Sequence, residues 1–387
     1  MRQPSILTAT LSPLIFLASC GNGAGGDNPP AVEAAAAQVF ATTERGSFDR
    51  PWAAAFLPGT ALLFVTEKPG TMKFVDTRTR RTGTVTGTPR VDHGGQGGLG
   101  DLAFLPAEAA GEVGARTIYL SWVEAGANDT RGAVVGKGTL RCPDSNACAI
   151  EGLEVIWRQT PKVSGRGHFS HRIAVSPDGR HLFVSSGERQ KMEPAQDPSN
   201  NLGSVARLNL DGTPAAGNAF SGQAGKAQDI WSYGHRNVLG LAFDRDGRLW
   251  GAEHGPAGGD ELNLVEKGAN YGWPRVSDGD HYDGTPIPRN ATSTAYHPSA
   301  ITWNPVIAPG SLMFYRGGLF PGFKDNALIA GLSSNAIVRV AIDGDTAREV
   351  ARYTMDSRIR GVVEGPDGAL WAIEDGTGGR LLELRPR

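Results

Sequence analysis

Apolar residues recur at alternate positions in short runs along the chain, and each run halts at Pro, Gly or Asp before a second apolar run begins. Six segments share this spelling. Ala53 to Phe56 leads through Pro58-Gly59 into Leu62 to Val65, and Leu102 to Leu105 leads through Pro106 into Ile118 to Leu120. Ile173 to Val175 passes Pro177-Asp178-Gly179 to reach Leu182 to Val184, while Leu241 to Phe243 passes Asp246-Gly247 to reach Leu249-Trp250. The last two are Leu312 to Phe314 into Ala327 to Ile329, and Val362-Val363 through Pro366-Asp367-Gly368 into Leu370-Trp371. A period of two between turn residues predicts a β-hairpin in each. Three of the turns place Gly after Asp, where a left-handed backbone closes a tight turn without a Cβ clash.

The hairpins start near residues 53, 102, 173, 241, 312 and 362, so successive starts lie 49, 71, 68, 71 and 50 residues apart. That spacing accommodates a four-stranded blade with variable loops. The expected fold is all-β, a six-bladed β-propeller; a β-sandwich competes, but it has no need of the same hairpin six times over. Composition agrees, because 53 Gly and 25 Pro among 387 residues, without a Gly-X-Y period, are hard to reconcile with long helices. Balanced charge, 38 Lys+Arg against 40 Asp+Glu for a net −2, gives no attraction to phosphate backbones and argues against a nucleic-acid partner.

The N-terminus reads as an export signal. Arg2 supplies a positive start, and the apolar stretch closed by Leu14-Ile15-Phe16-Leu17 is too short, and too interrupted by Pro13, to span a bilayer. Leu17-Ala18-Ser19-Cys20-Gly21 resembles a bacterial lipobox, in which Cys20 carries the lipid anchor; ordinary cleavage is the other reading. The expected layout is a lipoprotein-type signal peptide over 1–19, a flexible tether over 20–39 and the six-bladed β-propeller domain over 40–387, exported to the periplasm and tethered to a membrane. In such an oxidising compartment Cys142 and Cys148 are expected to close a short disulfide loop.

Polar clusters fall between the hairpins. Gly94-Gly95-Gln96-Gly97-Gly98-Leu99-Gly100 contains GxGxxG, yet a strand-like run follows it where a dinucleotide fold needs a helix. It is either a glycine-rich turn or a slot in which a flat ligand approaches the backbone beside Gln96. Gly167-His168 precedes one hairpin and Gly187-Glu188 ends it, so one strand out and one back place Glu188 near His168, the arrangement of an oriented general base. A solvated or structural His is the plainer reading. Arg236, within Gly234-His235-Arg236-Asn237, offers a planar fork of donors, and Asp260, Glu261 and the Gly255-Pro256 loop supply the hard oxygens that Ca²⁺ prefers. Arg358-Ile359-Arg360 alternates, so both guanidinium groups face one side of a strand with no acid nearby, which calls for an anionic ligand; a solvated edge is the alternative.

Taken in order, GGQGGLGDLAFLP, GHFSHR, GERQKMEPAQD, IWSYGHRNVLGLAF, EHGPAGGDELNLVEKGANYGWP and RIRGVVEGPDGALW resemble the soluble pyrroloquinoline quinone (PQQ)-dependent aldose sugar dehydrogenases of the glucose/sorbosone dehydrogenase family, from about residue 40 to the C-terminus. The resemblance implies a six-bladed propeller and a PQQ and Ca²⁺ site. It implies oxidation of an aldose at its C1 hydroxyl to a lactone, hydride passing to PQQ and electrons onward to an external acceptor, in a monomer or homodimer. By motif, His168 resembles the base that takes the hydroxyl proton and Glu188 its orienting carboxylate, while the guanidinium fork of Arg236 has the chemistry to stabilise a developing oxyanion. Gln96, Arg236, Asn237, Tyr282, Arg358 and Arg360 match cofactor-contacting positions. The carbonyls of Gly255 and Pro256 resemble ligands of the calcium that polarises PQQ; Glu261 and Tyr271 match those of a second, structural calcium.

One position departs from the pattern. Where the family carries lysine in a G-x-L-K turn, this chain reads Gly331-Leu332-Ser333-Ser334, so a cationic contact to PQQ is missing. Two other functions stay open: a calcium-dependent lactonase or other hydrolase, and a binding propeller without turnover. The RIR and GHRN motifs weigh against the former, and His168, Arg236 and Asn237 against the latter.

Overall fold

A computed structural model describes residues 39–111, 113–144 and 147–387. The expected signal segment, Cys20 and the tether as far as residue 38 lie outside the described residues. The described residues are all-β, and the helical pieces among them are four 3₁₀ turns of three or four residues. No helix among the described residues is long and apolar enough to cross a membrane.

All six expected hairpins form as adjacent antiparallel strands, with Ala54 opposite Val65, Ala103 opposite Tyr119, Ala174 opposite Phe183, Ala242 opposite Trp250, Met313 opposite Leu328 and Val363 opposite Trp371. Gly179, Gly247 and Gly368 in their turns have φ of 70°, 77° and 81°, the left-handed values that the Asp-Gly spelling anticipates. Each hairpin extends into a four-stranded antiparallel meander. Four of these are separate sheets; the other two, spanning 51–86 and 99–158, merge into one eight-stranded sheet through a two-residue parallel contact of Val85-Thr86 with Cys148-Ala149. Beside that contact Cys142 and Cys148 are disulfide-bonded.

The first strands of the meanders, Pro51–Phe56, Leu99–Phe104, Ser170–Val175, Val238–Phe243, Pro309–Phe314 and Ile359–Glu364, touch in that order, and the last touches the first. The ring closes with strands from both ends of the described chain, because Phe40–Asp49 pairs along Thr377–Pro386 as the outer strand of the last meander. Apolar clusters fill the gaps between neighbouring meanders: Trp250, Leu262, Phe314 and Ile329 occupy one, Tyr119, Trp157, Val184 and Leu208 another. Such packing removes large apolar side chains from water on both faces of each sheet.

Every first strand begins with a register shift, at Pro51/Ala53, Leu99/Leu102, Ser170/Ile173, Val238/Gly240, Pro309/Ser311 and Ile359/Gly361. A β-bulge re-aims the extra residue out of the ladder. The residues so released are Trp52, Gly100-Asp101, His171-Arg172, Leu239, Gly310 and Arg360, and they meet one another. Arg172 donates from Nε to the Leu239 carbonyl at 2.7 Å and from Nη1 to Asp101 at 3.1 Å, reaches the Gly310 carbonyl with Nη2, and lies 3.9 Å over the Trp52 ring. This single buried side chain ties its own strand to four others. Glycine is required where the strands crowd: a Cβ on Gly100 would stand 2.0 Å from His171 Cε1, and one on Gly310 2.6 Å from the Arg360 carbonyl.

Candidate active site

His168 and Glu188 meet as the hairpin arithmetic anticipates. The imidazole Nδ1 and Glu188 Oε1 form a short hydrogen bond in a buried setting, and Glu188 Oε2 accepts the Met192 amide at 2.6 Å. The loop holds His168 at φ +48°, and Ser170 and His171 at +57° and +58°, conformations that cost non-glycine residues energy and collect at functional sites. Gln96 Oε1 accepts the His168 amide at 2.7 Å, so the glycine-rich turn positions the histidine loop. Burial lowers the His168 pKa below its ordinary 6.5, assisted by the Arg236 charge and opposed by the bond to Glu188. Burial, the largest single influence, would raise Glu188, but the bond and charge of His168, the Met192 amide and the Arg236 charge together outweigh it and the carboxylate sits below its usual range.

Arg236 and Asn237 are held by Glu253, whose Oε2 accepts the Arg236 amide at 2.7 Å and the Asn237 amide at 3.4 Å, while Oε1 meets His235 Nδ1 at 2.8 Å. The Arg236 guanidinium donates to the His254 carbonyl and to the Tyr282 hydroxyl, both at 3.2 Å; Tyr282 itself is 77% exposed. Two donors in this wall are buried without a partner: Arg236 Nε and Asn237 Nδ2. Buried donors left unpaired are expensive in a finished protein and point to an acceptor-rich ligand.

Below Arg236 a cavity of about 10 Å³ is lined by His254, Gly255, Pro256, Glu261 and Tyr271 among others. It has room for one small ion. The Gly255 and Pro256 carbonyls accept no hydrogen bond from a described residue. Glu261 is held by the amides of Asn263 and Asn290, each at 3.0 Å, and the Oδ1 atoms of those two asparagines are buried without donors. Burial, with Glu253 beside it, pushes Glu261 up to about 8. Carboxylates crowded with orphan oxygens fit a hard cation. The Tyr271 hydroxyl is already spent on the Leu264 carbonyl and the Glu266 amide, which leaves that residue only its backbone oxygen to offer.

Arg358 and Arg360 require a correction. Both bond one carboxylate, Asp375: Arg358 Nε at 3.0 Å, and Arg360 through Nε at 3.0 Å and Nη2 at 2.8 Å. The expectation of no acid nearby fails because the hairpin after Arg360 returns to its start, the Asp375 amide bonding the Arg358 carbonyl at 2.9 Å. It is the same out-and-back geometry that pairs His168 with Glu188. Sequence reading also gave no part to Lys68, Trp52 or Glu253; the first two lie far along the chain from their neighbours and reach them only through closure of the ring.

These two arginines line a cavity of about 260 Å³ with Lys68, Gln96, His254 and Leu332. His254 also borders the ion-sized cavity, so the two adjoin. Burial holds both His254 and His171 near 3, hence neutral, and His171 is engaged by Ser121 at 2.8 Å and stacked on Trp52. A larger hollow of about 730 Å³ lies by the Asp-Gly turns at Asp178 and Gly247 and contains none of the candidate residues. Ser333 turns away, its hydroxyl donating to the Val306 carbonyl.

The family model described as Glucose / Sorbosone dehydrogenase matches residues 48–383. Aldose sugar dehydrogenase YliI of Escherichia coli K12 is 33% identical over 382 residues, covering 97% of this chain and 98% of that one. The crystal structure of the soluble aldose sugar dehydrogenase from Escherichia coli, in its apo form, superposes with a TM-score of 0.83 at 32% identity, covering 90% of this chain and 100% of that one. The PQQ-bound aldose sugar dehydrogenase of Streptomyces coelicolor gives 0.72 at 25% identity, covering 91% and 100%.

Proposed function

Because the chain belongs to the glucose/sorbosone dehydrogenase family, whose members are oxidoreductases, we propose that it oxidises the C1 hydroxyl of an aldose to the lactone with PQQ as hydride acceptor, on a six-bladed β-propeller. The closed ring of six meanders supports the propeller. The observation that carries the chemistry is one wall holding an oriented, neutral histidine next to two unpaired buried donors.

PQQ, when bound, supplies the two-electron acceptor, and Ca²⁺ when bound beside it adds Lewis acidity. The residues that would hold PQQ are Gln96, Arg236, Asn237, Tyr282, Arg358 and Arg360; its carboxylates and carbonyls suit Arg236 Nε and Asn237 Nδ2. The carbonyls of Gly255 and Pro256 would hold the calcium beside it, and Glu261 with the Tyr271 backbone oxygen a second one. Glu188 fixes the His168 Nδ1 proton, which leaves Nε2 to accept the proton from the sugar hydroxyl as hydride departs from C1. Depression of the His168 pKa keeps that nitrogen free at neutral pH. Arg236, whose backbone amide is anchored by Glu253, would stabilise the negative charge that develops as hydride is transferred. The reading includes an external electron acceptor, a periplasmic location and Cys20 as the lipid anchor.

His168→Ala tests the assignment. It is expected to lower kcat for aldose oxidation about 100-fold or more while PQQ affinity stays within a few-fold. Loss of PQQ binding at full folding would instead make His168 a ligand contact.

A further inference from the structure

We propose that Lys68 is a carboxylate-binding residue of the PQQ pocket, supplying the cation that the turn at Leu332-Ser333 does not; this rests on the PQQ reading above. Lys68 follows the strand Leu62–Glu67 of the first meander, whereas Arg358 and Arg360 belong to the last, and ring closure brings all three to one cavity. Among the described residues Asp375 is the one carboxylate bound to this group, and it answers both arginines. Three cations against one acid leave two positive charges on the wall, while His171 and His254, which also line it, are neutral. No other described residue lining the cavity is charged.

Lys68 is half-buried, and its Nζ makes one hydrogen bond, to the Gly95 carbonyl at 2.8 Å, where an ammonium has three donors to give. Burial first, and then the Arg360 charge, lower its pKa against the smaller opposing pull of Asp375. A ligand carboxylate between Lys68 and Arg360 relieves both effects. The bond to Gly95 also ties the ammonium to the turn that presents Gln96, so the cation and Gln96 sit side by side on the cavity wall.

The test is equilibrium binding of PQQ to the purified protein with Ca²⁺ present, followed by tryptophan fluorescence at several KCl concentrations, for wild type, Lys68→Met and Lys68→Arg. Melting curves confirm that all three are folded. Lys68→Met is expected to weaken binding about ten- to a hundred-fold and to flatten its salt dependence. Lys68→Arg should stay within about three-fold of wild type, because charge and donors persist. Wild-type affinity and salt slope in Lys68→Met overturn the inference. So does equal weakening by Met and Arg, which would make Lys68 only a clip on the Gly95 turn. Failure of the wild type itself to bind PQQ removes the cofactor reading instead, a result no Lys68 variant can mimic.

Discussion

His168 concentrates the chemistry of the site in one hydrogen bond and one direction of pKa shift. Its folded-state pKa lies below 6.5 because burial and Arg236 disfavour the imidazolium more than Glu188 favours it. A base is active only when unprotonated, so the acidic limb of kcat/KM should fall off below pH 6.5. Glu188→Gln removes the group that raises this pKa, and the limb should move further to acid as overall activity drops. A pH-rate profile with its acidic midpoint above 6.5, or one shifted upward in Glu188→Gln, would contradict the assignment. Contact between His168 and Glu188 was legible in the sequence, since a hairpin returns its end to its start. The same rule would have delivered Asp375 to Arg358 and Arg360; charge alternation drew attention to one strand and away from its return partner.

At the level of strands, the bulges do what the alternating pattern could not announce. Hairpins were readable because period two and Asp-Gly turns are local. A bulge at each first strand is set by how six strands crowd around an axis, which no local pattern encodes. Its consequence is the buried Arg172–Asp101 pair. Burial raises the Asp101 pKa and lowers that of Arg172, each against the pull of its partner, so the pair survives on good geometry: the Ile173 amide at 2.9 Å on Asp101 and two carbonyls on Arg172. Asp101→Ala strands a buried guanidinium and is expected to destabilise the fold by about 3–5 kcal/mol. Chemical denaturation would measure it, and a loss under about 1 kcal/mol would show that the pair ties nothing together.

Across the whole molecule, the proposed cofactor pocket depends on closure. Lys68 and Trp52 from the first meander share a cavity with Arg360 from the last, and the strand Phe40–Asp49, with Phe40 and Phe48 buried, completes that last meander. Removing residues 1–49 leaves Thr377–Pro386 as a bare edge. The truncated protein should melt more than about 5 °C lower and bind PQQ more weakly; an unchanged melting curve would mean that the ring does not depend on this strand. The central claim, a sugar-reducible quinone held with calcium, is met most directly by one spectrum. Protein reconstituted with PQQ and Ca²⁺ is recorded before and after an aldose is added, with and without chelator. The account predicts conversion to the reduced-quinone spectrum on adding sugar, abolished by chelator; bound PQQ that no aldose reduces would contradict it.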